Sequence, residues 1–316
     1  MISFLSIVHN FLGKMSSHNP EAPELPNPSS QTTFVVEPTS KHSHSVILLH
    51  GLGSNGVNFG TQFLKTGTTS AGKQLPQLLP GTRWIFPTAK RRRSTAFGRA
   101  VLTQWFDVAR LPDPEYKRES QLKGLSESAL EIRDIIHQEM SNVPPENIII
   151  GGLSQGCAMS LSVLLSLEHR LGGFIGMSGY LPFRSEIEDA VNRMAETDED
   201  DPFATSDDGR SDDEPEGREL KALSFERDLL CLDPLPHPTP KAAANLTPVF
   251  LGHGGVDEKR PAEQGEAAAH TMRAAGYEVQ WKLYADLGHW YKIPDEIDDI
   301  VEFIRSEVGW PINEGE

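Results

Sequence analysis

Gly152-Leu153-Ser154-Gln155-Gly156 sits between the apolar run Ile148–Ile150 and the apolar stretch that begins at Cys157. A serine in G-x-S-x-G between a strand and a helix occupies a sharp, strained turn that exposes its hydroxyl. Small residues at 152 and 156 let the two arms of such a turn approach each other. The helix N-terminus beside Ser154 favours negative charge developing there. The chemistry this spacing could do is nucleophilic attack on an acyl carbon, and for that the hydroxyl needs a base and the base an orienting group.

In hydrolases of this kind the chain order is serine, then acid, then histidine. Four histidines follow Ser154: His237, His253, His270 and His289. His237 is in a Pro-rich stretch, His270 falls mid-helix, and His253 precedes the acid candidate. His289, in "YADLGHWYK", lies in a loop after the penultimate strand and before the last helix, where a base can reach across to Ser154. For the acid, Asp257 follows the apolar run Pro248–Leu251 in the glycine-rich "GHGGVD". Asp286 lies three residues before His289, and Asp233 lies in a long insert; both compete less well. An acid at 257 would accept the imidazole N–H and select the tautomer that takes the serine proton.

A second glycine motif, "HGLGSNG" from His50 to Gly56, follows "SVILL" and contains G-x-G-x-x-G. A dinucleotide site requires an acid about 20 residues later to hold the ribose. The first acid after Gly51 is Asp107. The glycines should also open a helix directly, and "VNFGTQFLKTGTTSAGK" reads as a poor helix former. The stretch is instead expected to supply a backbone N–H, from Leu52, to a tetrahedral oxyanion. Gln155, the residue after the nucleophile, supplies the other. His50 reads as structural. No cofactor and no metal are expected.

These residues need elements to position them. Short β-branched or aromatic runs at Ser45–His50, Trp84–Phe86, Ile148–Ile150, Gly173–Met177, Pro248–Leu251 and Val279–Tyr284 read as buried strands. Helices are expected between them. Leu125, Ala129, Ile132, Ile136 and Met140 share one face, and Ser128 with Glu131 has capping-box spacing. Residues 155–169 and 262–275 read as two further helices. Ile297, Ile300, Val301, Ile304 and Val308 mark a last one, with Pro294 and nearby acids at its start. This alternation predicts an α/β fold, a mostly parallel sheet with helices on both faces.

The chain has 316 residues, 38% of them hydrophobic, with a net charge of −16 and two cysteines. Ten of the net negative charges fall between Glu196 and Glu219, whereas Thr39–Phe106 holds nine basic residues and no acid. The total charge therefore implies no attraction to nucleic acid. Two cysteines give no disulfide framework, which fits a cytoplasmic-type compartment. Residues 1–40 read as a flexible tail. Its first fifteen are too short to span a bilayer and lack a signal peptide's basic start. They fit an untidy end or a weak interfacial helix, with Met15 as an alternative start. The hydrolase domain is expected over 41–312, interrupted at about 186–241 by an acidic insert that should be disordered near 196–218. Within the insert, "LKALSFERDLLCL" should form a short amphipathic helix, packed on the domain surface rather than serving as a lid. The basic run Lys90–Arg93 reads as a solvated loop; a nuclear address or a transient contact with an anionic membrane surface are the alternatives.

"LLHGLG", "WFD" at Trp105–Asp107, "GGLSQGCA", "SGYLP" at Ser178–Pro182, "GHGGVD" and "LGHW" follow one another between about 45 and 310. In these stretches the chain resembles the acyl-protein thioesterase, or phospholipase/carboxylesterase, family of α/β-hydrolases. The resemblance implies an α/β-hydrolase fold with Ser154, Asp257 and His289 as the triad and Leu52 and Gln155 as oxyanion donors. It implies further that Trp105 lines the acyl entrance. Two positions depart from the family pattern: Arg260 stands before Pro261 where an apolar residue is usual, and Ser54 replaces an Asp.

The expected function is hydrolysis of acyl thioesters or esters, with removal of long acyl chains from protein cysteines foremost. The alternative is a carboxylesterase or lysophospholipase acting on small or lipid esters. A non-enzymatic scaffold that keeps only the fold is a third reading. Expected partners are acylated proteins or lipid and small acyl-ester substrates.

Overall fold

The computed structural model describes residues 33–192, 217–235 and 243–315. In chain order its elements are β1 (Phe34–Val36), β2 (His44–Leu49), α1 (Gly56–Thr66), α2 (Leu75–Leu78), β3 (Thr82–Phe86), β4 (Arg91–Ser94) and β5 (Ala100–Thr103). Then come α3 (Leu122–Met140), β6 (Ile148–Leu153), α4 (Gln155–Leu165), β7 (Gly173–Met177), α5 (Arg184–Asn192) and α6 (Arg218–Leu229). β8 (Val249–Gly254), α7 (Ala262–Ala274), β9 (Val279–Tyr284) and α8 (Asp295–Phe303) complete the order, and a π-helical turn, Ile304–Val308, follows α8.

Seven strands form one sheet in the order β1-β3-β2-β6-β7-β8-β9, parallel except for β1. Alternate residues of each central strand enter opposite cores, as the period of two requires. Ile47 and Leu49 of β2 and Ile148 and Ile150 of β6 pack with α3, α4 and α7. Val46 and Leu48 of β2 and Ile149 of β6 pack with α1 and α8 on the other face. Both faces are covered, which is why these strands read as continuous apolar runs. From β2 the chain moves to β3 on one side, then to β6 on the other. The crevice beyond the C-terminal ends of β2 and β6 is therefore the switch point where α/β sheets bind ligands. This is the α/β-hydrolase fold the sequence predicts.

Four expectations are corrected. The tail placed at 1–40 gives up Phe34–Val36, which pair antiparallel with β3 as an edge strand; residues 1–32 lie outside the described residues. "VNFGTQFLKT" does form a helix, α1, capped by the Asn55 side chain accepting the Asn58 N–H at 2.8 Å. Burial of Phe59, Phe63 and Leu64 overrides the weak propensity, and Gly60 packs where a Cβ would meet the Phe86 ring at 2.5 Å. The glycines do open a helix, and the missing acid alone speaks against a dinucleotide site.

The basic run is not a loop: Arg91–Ser94 is β4, paired antiparallel with β5. Lys90 is ion-paired with Glu131 of α3, and Arg92 donates to Glu127 at 2.5 Å, while Arg91 and Arg93 are exposed. Last, the insert at 186–241 opens on a helix the sequence does not signal, α5; near its other end α6 packs on the domain as the expected surface helix, with Leu223 and Leu230 buried. Burying each leucine contributes about 1.5–3 kcal/mol, so α6 is anchored as a surface helix. The acidic stretch expected to be disordered lies, except for Gly217 and Arg218, outside the described residues. Among the described residues no helix is long and apolar enough to cross a membrane.

Candidate functional site

β6 runs as six buried residues to Leu153, and α4 begins at Gln155, so Ser154 alone makes the turn. It does so at φ 56, ψ −117, a backbone region costly for a residue with a Cβ. Its N–H is used, donating to Met177 O at 2.8 Å, so the side chain is what the turn presents. Gly156 permits the tightness: a Cβ there would stand 2.1 Å from Leu49 O.

Ser154 Oγ lies 2.8 Å from His289 Nε2, and His289 Nδ1 lies 2.7 Å from Asp257 Oδ2. Asp257 is ionised and acceptor-only, so Nδ1 carries the proton and Nε2 is free to accept from the serine hydroxyl. Asp257 Oδ1 accepts the backbone N–H groups of Lys259 and Arg260, both at 2.9 Å. Burial pushes this carboxyl's pKa up, but hydrogen bonds from His253 and His289 and from the Arg260 backbone hold it well below the carboxylate range. Burial lowers the His289 pKa, and the opposing pull of Asp257 does not make up the difference. The imidazole is thus neutral at pH 7.

The Leu52 segment lies against this group. Gly51 follows β2, and a Cβ on it would meet Ser154 Cβ at 3.5 Å. Gly53 N–H donates to Thr103 O at 2.8 Å and Ser54 N–H to Gly51 O at 3.2 Å. The Leu52 N–H just before them has no acceptor among the described residues. The Gln155 N–H is in the first turn of α4, where no intrahelical acceptor exists. The Ser54 carbonyl accepts the Thr103 hydroxyl, so β5 steadies the loop from outside.

Trp105 requires a correction. It does not line an open entrance: it is buried, its Nε1–H donates to His50 O at 2.8 Å, and its ring lies 5.0 Å from the His50 ring. It braces the strand end from which the Leu52 loop leaves. His50 is structural, as the sequence suggests. Its Nδ1–H donates to Gly51 O at 2.8 Å, and its Nε2 accepts the Ala89 N–H at 3.0 Å. Burial lowers its pKa to about 4, which keeps both bonds intact at neutral pH.

Of the competing residues, His270 is exposed on α7, and Asp286 is paired with Lys292 at 2.5 Å. His237 lies outside the described residues. The carbonyl of Asp233 accepts from Arg227 of α6. Three supports went unread in the sequence. The Gln155 side chain accepts Trp105 N–H at 3.1 Å and donates to Phe106 O at 2.7 Å, tying the turn to "WFD". His253 Nε2 lies 2.9 Å from Arg260 O and 3.4 Å from Asp257 Oδ2, so it is a second imidazole at the acid. Arg260, the family departure, is buried with its guanidinium 4.1 Å over the Tyr180 ring. Only the proximity of Gln155 to Ser154 and of His253 to Asp257 along the chain could have signalled the first two.

A family model described as Phospholipase/Carboxylesterase matches residues 30–207, and one described as Prolyl oligopeptidase family matches residues 129–310. "Acyl-protein thioesterase 1" of Gibberella zeae is 26% identical over 278 residues, 87% of this chain and 95% of that protein. The crystal structure of Arabidopsis thaliana SOBER1, whose sequence relative is named a carboxylesterase, is 26% identical with a TM-score of 0.59, covering 84% of this chain and 99% of that one. Acyl-protein thioesterase 2 of Zea mays superposes with a TM-score of 0.60 at 24% identity, over 89% of this chain and 100% of that one, and shows the shared fold.

Proposed function

The chain belongs to the phospholipase/carboxylesterase family of serine hydrolases, and from that premise we propose that it is an acyl-protein thioesterase that removes long acyl chains from protein cysteines. The observation that carries the reading is the imidazole of His289 standing between Ser154 Oγ and Asp257 Oδ2 at 2.8 and 2.7 Å.

In this reading His289 Nε2 takes the Ser154 proton as Oγ attacks the acyl carbon. The oxyanion gains the N–H groups of Leu52 and Gln155, each such donor contributing about 3 kcal/mol to the transition state. The imidazolium, stabilised by ionised Asp257, then gives its proton to the departing sulfur. A second cycle hydrolyses the acyl-serine with water. A thiol of pKa about 8.5 leaves far more readily than an alkoxide, so thioesters react faster than esters at the same site. These steps use side chains and backbone N–H groups of this chain alone.

The burial of Trp105 favours a second reading, a carboxylesterase or lysophospholipase for smaller esters, because the indole assigned to an acyl entrance is covered. Turnover of acyl thioesters and esters from two to sixteen carbons by the wild type and Ser154→Ala separates the two. The thioesterase reading expects thioester over ester, a rise towards sixteen carbons, and a loss of at least about 10³-fold in the variant. A preference for two to four carbons with no gain at sixteen overturns it in favour of the second. Equal rates for variant and wild type remove Ser154 from the chemistry.

A further inference from the structure

His289 sits in the segment between β9 and α8, and three residues beyond it the backbone of Lys292 is held at both of its polar groups by one residue. Glu296 N–H donates to Lys292 O at 3.1 Å, and Lys292 N–H donates to Glu296 Oε2 at 2.8 Å. The Glu296 side chain is fully buried in the first turn of α8. Its other oxygen, Oε1, has no hydrogen-bond partner. That oxygen fills the space left by the missing side chain of Gly252, where a Cβ would stand 2.1 Å away. Gly252 belongs to β8, the strand that leads to Asp257. Its carbonyl accepts Ser178 N–H at 2.8 Å, and Ser178 Oγ donates to Trp290 O at 2.8 Å. The segment bearing His289 is thus fastened at Trp290 and at Lys292, both times through residues that touch Gly252.

We propose that Glu296 is a positioning residue for His289, its carboxyl pinning the Lys292 N–H so that the segment between β9 and α8 presents the imidazole to Ser154. The inference rests on the reading of His289 as the base.

Among the described residues no cation is paired with this carboxyl, and only the Lys292 N–H favours its charged form. The groups that feel it are Cys157 of α4, Tyr284 of β9, Tyr291 of the segment itself, and Asp299 of its own helix. The Lys292 ammonium goes to Asp286, and Lys282 goes to Asp299. Burial pushes the Glu296 carboxyl up to about 8, so it is neutral at pH 7 and ionises as the pH rises past that value. An unpaired buried anion is relieved by letting water in and moving the first turn of α8 outward, which carries the Lys292 end of the segment with it. Catalysis should then fail on the alkaline side.

The test measures kcat and KM for a short chromogenic ester from pH 6 to 9. It compares the wild type with Glu296→Ala, Glu296→Gln, Gly252→Ala and His289→Ala. The expected result is a fall in kcat of about 10–100-fold in Glu296→Ala with KM within about twofold, the signature of a misplaced reacting group. Gly252→Ala, which displaces the carboxyl, should reproduce it. Glu296→Gln keeps an acceptor oxygen for Lys292 N–H and should recover most of the pH 7 rate while losing the wild type's alkaline fall. Unchanged kcat in Glu296→Ala, with His289→Ala inactive, overturns this inference alone. An alkaline fall in Glu296→Gln equal to the wild type's overturns it too, and decides the matter if the alanine variant does not fold. Full activity in His289→Ala overturns both this inference and the reading beneath it.

Discussion

The turns at 50–56 and 152–156 follow neighbouring parallel strands, β2 and β6, and both lead into helices. Their geometry differs. After β6 one residue makes the turn, its N–H is committed to Met177 O, and it exposes a side chain. After β2 the chain takes a longer path, from Leu49 to the helix start at Gly56, and leaves the Leu52 N–H without an acceptor among the described residues. In the proposed mechanism the shortest unit therefore offers a side-chain nucleophile, with the Gln155 N–H just behind it, and the slack one offers only a backbone donor. The one-residue turn commits the amide of Ser154 itself and takes on strain, which the longer turn avoids.

The largest effect expected from this contrast is at Ser154. Glycine adopts a positive φ without strain, so Ser154→Gly should lower kcat by about 10⁶-fold while stabilising the fold by about 1 kcal/mol. Thermal unfolding and ester turnover on the same sample check it; a lowered Tm means that the tight turn stores no strain.

Next in size is a pair of alanine substitutions. Gly156→Ala puts a methyl 2.1 Å from a backbone oxygen that cannot yield and should cost several kcal/mol of stability, about 3. Gly51→Ala meets Ser154 Cβ at an ordinary 3.5 Å and should leave Tm nearly unchanged. It crowds the space beside the Leu52 N–H, so kcat should fall about 10–100-fold. Equal losses of stability in both variants would erase the distinction between the turns.

The smallest effect concerns pH. Burial holds the His289 pKa below the ordinary 6.5, and the base must be neutral to act. The value of kcat/KM should therefore rise with pH through a midpoint below 6.5 and then level off, until the alkaline fall assigned above to Glu296. Gly51→Ala should lower the whole profile without moving its acid midpoint, because a backbone donor acts on the oxyanion and leaves the imidazole alone. A midpoint displaced by more than about half a unit in that variant would mean that the two turns share the base.

The elements lost to the sequence reading have physical causes. Phe34–Val36 is only three residues long, too short for a period of two to register, and pairing with β3 alone makes it a strand. Arg91–Ser94 carries charge where strands are usually apolar; Arg92 of the strand and Lys90 just before it pair with Glu127 and Glu131, far along the chain on another element. Helix α1 is rich in glycine and is made by what packs on it. Resemblance places Trp105 at a mouth, but burial seats it against His50 at the end of β2 instead.

Strand periodicity, the G-x-S-x-G turn and the order serine, acid, histidine depend on residues close together in the chain or on a connectivity rule, so the sequence by itself determined the parallel strands and named Ser154, Asp257 and His289 as candidates. It could not show that His253 shares the acid, that Gln155 grips "WFD", or that Glu296 fits against Gly252. Those contacts join residues whose own types announce nothing. They exist because close packing brings distant backbones within hydrogen-bonding range, and only there does a buried carboxyl or amide acquire a partner and a role.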